Sequence, residues 1–358
     1  MLSLWCSDQE RKDRTKHFFC LLTFFISLST LLICWIVPTL AEGTNSFPLS
    51  KLFSFLKNQT VWSRVFKYSG LTLLVIFGFI FVFGSIREIF SLVTPPIYYK
   101  RAQKFNWLFT FLIFAPLICT LCIEKRNGKW DISNATQYLL FQLYFFIANR
   151  TSWRFFVKFL LPDITGEDAL VIKKVGGKLT KQHYLGWTSF FLLAFYLPIW
   201  ALILVVAISF FSNSFSFVFG RKLGATRLSD YSPTKTLEGT ICSALLSAIV
   251  FSALSIYAFK SEWFGKGNFH NQDVGFIAFV IFLVGFTSVL SNWGDCTFSL
   301  CKRALGYKNF GRLFGDKVGG FWDRFDSLSS PLFFTSIVFW AVLGIINKNI
   351  GIPFKNGS

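Results

Sequence analysis

The sequence predicts an all-α, polytopic transmembrane protein with about eight spans. Of its 358 residues, 53% are hydrophobic and only 15% are charged, whereas soluble domains carry about 25% charged residues. The mean hydropathy is +0.52, and phenylalanine alone accounts for 48 residues. A chain with so little polar surface cannot cover itself in water, so a soluble globular fold is excluded.

Apolar runs separated by short basic segments indicate where the spans lie. The runs cover residues 18–40, 71–86, 106–123, 138–148, 187–219, 241–259, 274–291 and 332–346. The run 138–148 is short for a full crossing, because a helix needs about 20 residues to span the hydrocarbon core. The run 187–219 is long enough for two segments, which Pro198 divides. Tryptophans and tyrosines near the run ends are typical of interfacial anchoring.

The first run has two interpretations. Basic residues precede it, and residues 39–41 resemble a signal-peptide cleavage site. The run is longer than the apolar core of a typical cleaved signal, which favours a retained span with its N-terminus in the cytoplasm.

The runs and loops divide the chain into four predicted regions. Residues 1–150 form an N-terminal transmembrane region without an assigned role, and residues 151–186 form a basic polar connecting segment. Residues 187–346 form a C-terminal transmembrane region that is expected to carry the chemistry, and residues 347–358 form a short tail.

The charge is strongly biased, with 36 Lys and Arg against 18 Asp and Glu. This surplus indicates either cytoplasmic loops attracted to anionic headgroups or a site for a polyanionic substrate. Three histidines are too few for a His-rich metal site. The pair Cys119 and Cys122 lies in an apolar run without a second pair, which favours buried cysteines over zinc or a redox couple. We expect no nucleic-acid partner.

Two polar segments, residues 220–239 and 294–327, are predicted to be loops between spans. The first mixes basic residues with glycines and hydroxyls, and the second places four aspartates among lysines and arginines. Placing aspartates among cations at a membrane surface costs free energy unless the carboxylates bind a ligand. A divalent metal ion is the natural candidate. The alternative is a pair of solvated basic loops that follow the positive-inside rule.

Span counting predicts that both segments face the same compartment. The apolar runs 241–259 and 274–291 lie between them, and two crossings return the chain to its starting side. The intervening stretch 260–273 is near neutral, whereas both polar segments are basic, so the polar segments are expected to face the cytoplasm. This expectation fails if either run is re-entrant.

The second segment carries a specific motif. Residues 299–308 read SLCKRALGYK and residues 319–327 read GGFWDRFDS, with a Gly294-Asp295 pair upstream. This pattern resembles the signature of the CDP-diacylglycerol synthases (phosphatidate cytidylyltransferases), approximately S-x-x-K-R-x4-K-D and P-G-H-G-G-x-x-D-R-x-D. In the first segment, Gly220-Arg221 and SPTKTLEG at 232–239 resemble the family's G-[KR] and S-P-K-K-T-W-E-G. The resemblance covers roughly residues 200–331.

The chain departs from the family pattern at several positions. Asn213 stands where the family has the aspartate of S-D-x-x-A-Y, and Asn309 replaces the aspartate of K-D. FGDKVGG at 314–320 replaces P-G-H-G-G, with one inserted residue and no histidine.

The resemblance implies transfer of a cytidylyl group from CTP to phosphatidic acid, with magnesium as the cofactor. Asp295, Asp323 and Asp326 would be the metal ligands, and with Lys302 they form the predicted catalytic set. The predicted substrate-binding residues are Ser232, Lys235, Thr236, Glu238, Ser299, Arg303, Lys308 and Arg324. Glu238 would orient Lys235 or a metal-bound water.

Two other functions remain open at this point. One is a CTP-dependent lipid kinase, which would release CDP and form a lipid phosphate. The other is a catalytically silent membrane protein of the same fold. A homodimer is possible under each of the three functions.

Overall fold

The computed structural model describes residues 60–94, 99–127, 132–160, 170–197, 199–229, 232, 235–260, 274–307 and 322–350. Within these ranges the chain is helical, apart from connecting turns and one isolated β-bridge between Arg227 and Thr236. The helices are α1 Thr60–Val93, α2 Tyr99–Asn127, α3 Ile132–Leu160, α4 Gly177–Phe195, α5 Ile199–Leu223, α6 Leu237–Lys260, α7 Val274–Ala304, α8 Trp322–Phe325 and α9 Ser329–Ile350. A π-helical turn, Ile172–Gly176, precedes α4. The all-α class is confirmed.

Four helices of the described ranges are long and apolar enough to cross a membrane, which makes this an integral membrane protein. They contribute the stretches Ala102–Ile123, Ala201–Leu223, Leu237–Ser255 and Ile277–Ala304. The total of about eight spans stays a prediction. The first apolar run, residues 18–40, lies outside the described residues.

The break predicted at Pro198 is confirmed, since α4 ends at Phe195 and α5 begins at Ile199. Proline lacks a backbone N–H and clashes with the preceding turn, so one helix cannot continue through it. The segment 151–186 contains the end of α3 and the first half of α4. The division into four regions stays a prediction.

The prediction of two simple loops was wrong in detail. Residues 294–304 continue α7, and the first loop is shorter than expected because α5 extends to Leu223 and α6 begins at Leu237. The apolar run ends near Ser291, but the polar residues that follow recur at helical spacing and face neighbouring helices. Hydropathy alone therefore places the C-terminal end of this helix too early in the chain.

The helices pack in two ways. Large aromatic side chains fill the contacts between α1, α2, α3 and α4, where Phe90 lies 4.9 Å from Phe156 and Phe114 lies 4.9 Å from Phe191 between ring centroids. By contrast, α5, α6 and α7 contact one another along small and hydroxyl side chains such as Ser212, Ser243 and Ser288, all fully buried. Small residues let helix backbones approach closely inside a membrane, where apolar burial between helices contributes little.

Gly186 allows α4 to approach the start of α9. A Cβ at this position would lie 2.8 Å from the Ser329 Cβ, 2.9 Å from the Phe325 ring and 3.1 Å from the Ser329 Cα. The last contact is with backbone, which cannot rotate away. The α4–α9 contact therefore requires glycine here.

We expect Gly186→Ala to destabilise the protein by about 1–3 kcal/mol, because the added methyl overpacks the α4–α9 contact. The matched control is Gly285→Ala in α7, where the new Cβ would meet Ala248 at an ordinary 3.7 Å. Removing a helical glycine there should be neutral or slightly stabilising. Thermal unfolding in detergent measures both, and equal melting temperatures for the two variants would contradict the packing argument.

Candidate active site

One face of α7 carries a polar stripe. Ser288, Asn292, Asp295, Ser299 and Lys302 follow one another at intervals of three or four residues, which places them on the same side of the helix. Ser288 and Asn292 are fully buried, Lys302 is nearly so, and Asp295 and Ser299 are partly exposed. The stripe therefore runs from the interior of the bundle to a partly open surface.

A buried lysine joins the two motif segments. Lys235 precedes α6 and is 7% exposed. Its Nζ lies 3.2 Å from Oδ2 of Asp295 and donates to Oδ1 of Asn213 at 2.9 Å and to Oδ1 of Asn292 at 3.0 Å. A buried ammonium needs such partners, because an uncompensated charge in the interior is costly. Lys235 thus connects α5, α6 and α7 at one point.

Asn292 is held in its orientation by a hydroxyl network. Its Nδ2 donates to Oγ of Ser212 at 2.8 Å, to Oγ of Ser243 at 3.3 Å and to the carbonyl of Ser288 at 3.2 Å. Ser288 in turn donates to Oγ of Ser212 at 2.6 Å. Because the amide nitrogen is saturated by acceptors, the Oδ1 atom is left to face Lys235.

Asp326 is anchored beside the same stripe. Its Oδ2 lies 3.6 Å from Nζ of Lys302, and its Oδ1 accepts a hydrogen bond from the Ser327 N–H at 2.7 Å. A Cβ on Gly294 would lie 3.2 Å from the Asp326 carbonyl oxygen and 3.6 Å from the Ser327 Cα. Glycine at 294 therefore lets the turn carrying Asp326 pass close to α7, next to Asp295.

The remaining residues of the first segment shape the loop and the start of α6. Thr236 is the N-cap of α6, and its Oγ1 accepts from the Gly239 N–H at 3.2 Å. Both carboxylate oxygens of Glu238 accept from the Thr226 N–H, at 3.0 and 3.2 Å. Glu238 is partly exposed and is directed to Thr226, whereas the three side-chain partners of Lys235 are Asn213, Asn292 and Asp295. Glu238 therefore does not orient Lys235 here, and its contact with a metal-bound water stays a prediction. Substrate contacts by Thr236 and Glu238 stay predictions.

The other predicted residues fall into two groups. Ser232 is buried in the loop before Lys235, and Ser299 and Arg303 lie near the end of α7, where Arg303 is exposed. That helix ends in a glycine cap, with Gly306 at φ +78° and the Tyr307 N–H bonded to the Lys302 carbonyl at 2.9 Å. Lys308 and the side chains of Asp323 and Arg324 lie outside the described part of the chain.

Sequence reasoning missed three contributors: Asn292, its hydroxyl partners, and Glu88. Asn292 stands three residues before Asp295 in the stripe, so the period of the polar residues could have identified it. Glu88 is a nearly buried carboxylate in the last two turns of α1, directly after Arg87, and its Oε2 accepts from the Trp322 N–H at 3.0 Å. No local pattern in the sequence links Glu88 to Trp322, because the two residues are 234 positions apart.

The donor chemistry fits a divalent cation. Asp295 and Asp326 supply carboxylate oxygens, the ligands that Mg²⁺ prefers, and Asp295 is 26% exposed and hence reachable. Within the described ranges, no cluster of three or more His, Cys, Asp or Glu side chains forms a complete protein cage. Mg²⁺ in nucleotide enzymes is commonly held by one or two carboxylates and by the substrate phosphates, so such a cage is not required.

The family model for "Cytidylyltransferase family" matches residues 5–346, which is nearly the whole chain. The chain belongs to the cytidylyltransferase family. It is therefore a nucleotidyltransferase enzyme, and the resemblance seen in the two motifs is confirmed. The match also extends through the N-terminal region, where the sequence alone suggested no relative.

Curated relatives of this cytidylyltransferase are similar over long stretches. The phosphatidate cytidylyltransferase of Aquifex aeolicus is 24% identical over 300 residues, covering 82% of this chain and 92% of the relative. That of Haemophilus influenzae is 29% identical over 227 residues, covering 62% and 72% respectively. The Thermotoga maritima enzyme of the same name is 30% identical over 163 residues, covering 44% and 57%.

We expect Lys235→Met and Asp295→Ala in this cytidylyltransferase to be non-additive, because each removes the same ion pair. Either single change leaves a buried or partly buried charge with fewer partners, and the double change removes both charges. The coupling should be about 0.5–3 kcal/mol, measured by thermal unfolding of the four proteins in detergent. Lys235→Met combined with Thr297→Ala is the control pair, since Thr297 bonds to its own helix at the Trp293 carbonyl. Additive losses for Lys235 and Asp295 would contradict a shared interaction.

Proposed function

We propose that this enzyme transfers the cytidylyl group of CTP to phosphatidic acid, forming CDP-diacylglycerol and releasing pyrophosphate. The observation that carries the proposal is the Lys235–Asp295 contact of 3.2 Å, which unites the two motif segments in a cytidylyltransferase. The similarity to curated proteins named phosphatidate cytidylyltransferase supports the choice of lipid substrate.

The reaction is a displacement at the α-phosphorus of CTP. A phosphate oxygen of phosphatidic acid forms the new P–O bond, and the bond between the α-phosphorus and the bridging oxygen to the β-phosphate breaks. The attacking phosphate is already an anion, so a strong general base is not needed. The main barrier is repulsion between two polyanions, and fixed positive groups lower it.

The cations of the site suit this task. Lys235 and Lys302 are each buried beside an aspartate, so their ammonium groups are held in position before a substrate arrives. Incoming phosphate oxygens can share these ammonium groups with the aspartates without reorganisation of solvent. Arg303, exposed at the end of α7, is suited to bidentate contact with a phosphate.

Asp295 and Asp326 would hold Mg²⁺, together with Asp323 on the evidence of the motif alone. When bound, the cation supplies charge neutralisation and orientation for in-line displacement at phosphorus. The protein's own contribution is to keep the carboxylates in place. Lys235 does so for Asp295, and Lys302 and the Ser327 N–H do so for Asp326.

The active-site end of the helices is proposed to face the cytoplasm. Both motif segments lie at the same end of the antiparallel pair α6 and α7, as the Lys235–Asp295 contact requires. The basic character of these segments supports the cytoplasmic side, where CTP is available.

Two forms of labelled CTP test the reaction. Purified protein in detergent with phosphatidic acid and Mg²⁺ should transfer label from [α-³²P]CTP into the chloroform phase, and none from [γ-³²P]CTP. In a parallel reaction with a lipid alcohol such as diacylglycerol, transfer of the γ-label to the lipid would identify a lipid kinase instead. Absence of both products under conditions in which the protein is folded would indicate a catalytically silent protein.

Asp295→Ala should lower the rate of α-label transfer by at least about 100-fold, corresponding to the loss of roughly 2.7–4 kcal/mol of transition-state stabilisation. The matched control is Thr297→Ala, two residues along the same helix, which should remain near the wild-type rate. An active Asp295→Ala enzyme would exclude the proposed role of this carboxylate.

Orientation can be tested by labelling at Arg227, an exposed position in the first loop. In a cysteine-free background, Arg227→Cys should react with an impermeant maleimide in inside-out vesicles and not in intact cells or spheroplasts. The opposite pattern would place the site on the far side of the membrane.

A further inference from the structure

A carboxylate from the N-terminal half of the chain reaches the second motif. Glu88 lies on α1 and is 8% exposed. Its Oε2 accepts a hydrogen bond from the backbone N–H of Trp322 at 3.0 Å, although the two residues are 234 positions apart. Trp322 is the first residue of α8 and directly precedes Asp323 in the chain.

The Trp322 side chain is fixed at the same place. It is fully buried, with its ring centroid 4.5 Å from that of His183 on α4 and 4.9 Å from that of Phe298 on α7, both edge-on. One turn later, Phe325 stacks on Trp187 of α4 at 4.3 Å with an interplanar angle of 6°. The short turn that carries the motif aspartates is therefore bound by rings from helices on either side.

The ring contacts alone do not determine the backbone position of the turn. An α8 of four residues has almost no internal hydrogen bonds, so its first N–H groups need outside acceptors. The Glu88 carboxyl oxygen supplies one of them, at 3.0 Å from the Trp322 nitrogen. At the other end of the turn, the backbone of Asp326 and Ser327 rests against Gly294. The turn is thus held between α1 and α7.

We propose that Glu88 is a positioning residue: it holds the backbone of the Trp322–Phe325 turn so that the carboxylates of the second motif keep their place for metal and nucleotide. This inference rests on the proposed function and assigns a role to α1, for which the sequence suggested none. Glu88 acts through the turn and not on the substrate.

The test compares Glu88→Met with Glu88→Gln. Methionine keeps the length of the side chain and removes both acceptor oxygens, whereas glutamine keeps one acceptor oxygen. Ile89→Val is the stability control, because Ile89 is a buried neighbour on α1 whose truncation weakens packing without touching the Trp322 N–H. Two quantities are measured for each protein: the Mg²⁺ concentration for half-maximal α-label transfer, and hydrogen–deuterium exchange of the peptide containing residues 322–328.

Glu88→Met should raise the half-activating Mg²⁺ concentration or lower kcat by about 10–100-fold, the range found for groups that orient metal ligands. It should also speed exchange in the 322–328 peptide. Glu88→Gln should stay much closer to wild type in both measurements, and Ile89→Val should show neither effect after correction for folded protein.

Three results would overturn the inference. They are wild-type behaviour of Glu88→Met, an equal defect in Ile89→Val, and a defect in Glu88→Gln as large as that in Glu88→Met. The exchange measurement needs no catalysis, so it reports on Glu88 even if the wild-type protein makes no CDP-lipid. Inactivity of the wild-type protein would instead reject the proposed function.

Discussion

The site depends on the burial of one ammonium group between three helices. Lys235 brings α5, α6 and α7 together because its charge is matched by Asp295 and its remaining donors by two amide oxygens. Because Lys235 is only 7% exposed, its ammonium group depends on these partners in place of water. The same contact brings the first motif segment to the second and so determines where a nucleotide could bind.

Asn213 lowers the negative charge around the Lys235 ammonium group, compared with an aspartate at the same position. It occupies the position where the resembling family has an aspartate, and its Oδ1 accepts from Lys235 at 2.9 Å. The hydrogen bond is kept and one negative charge is removed, so that within the described residues Lys235 is paired with a single carboxylate. Asparagine in place of the family's aspartate is therefore compatible with the local geometry. Its expected consequence is a weaker attraction for cations near Lys235 than a second carboxylate would produce.

The two halves of the chain are structurally interdependent. Aromatic rings of α4 pack on the α8 turn, Glu88 of α1 accepts its first N–H, and Gly186 permits α4 to contact α9. The N-terminal helices thus form one side of the frame around the second motif. This arrangement gives a physical reason why the family match, residues 5–346, includes α1 and α4 and is not confined to the motif segments.

The sequence by itself determined the helical membrane class, the break at Pro198 and the family, because composition, run length and motif spacing are local properties of the chain. It also identified Lys235, Asp295, Lys302 and Asp326 as members of one site. The tertiary structure alone decided how they pair, that α7 continues through 294–304, and that Glu238 is directed to Thr226. It alone revealed Glu88, because a hydrogen bond between residues 234 positions apart leaves no trace in local periodicity. Such contacts depend on how helices pack, and packing depends on the shape of all of them together.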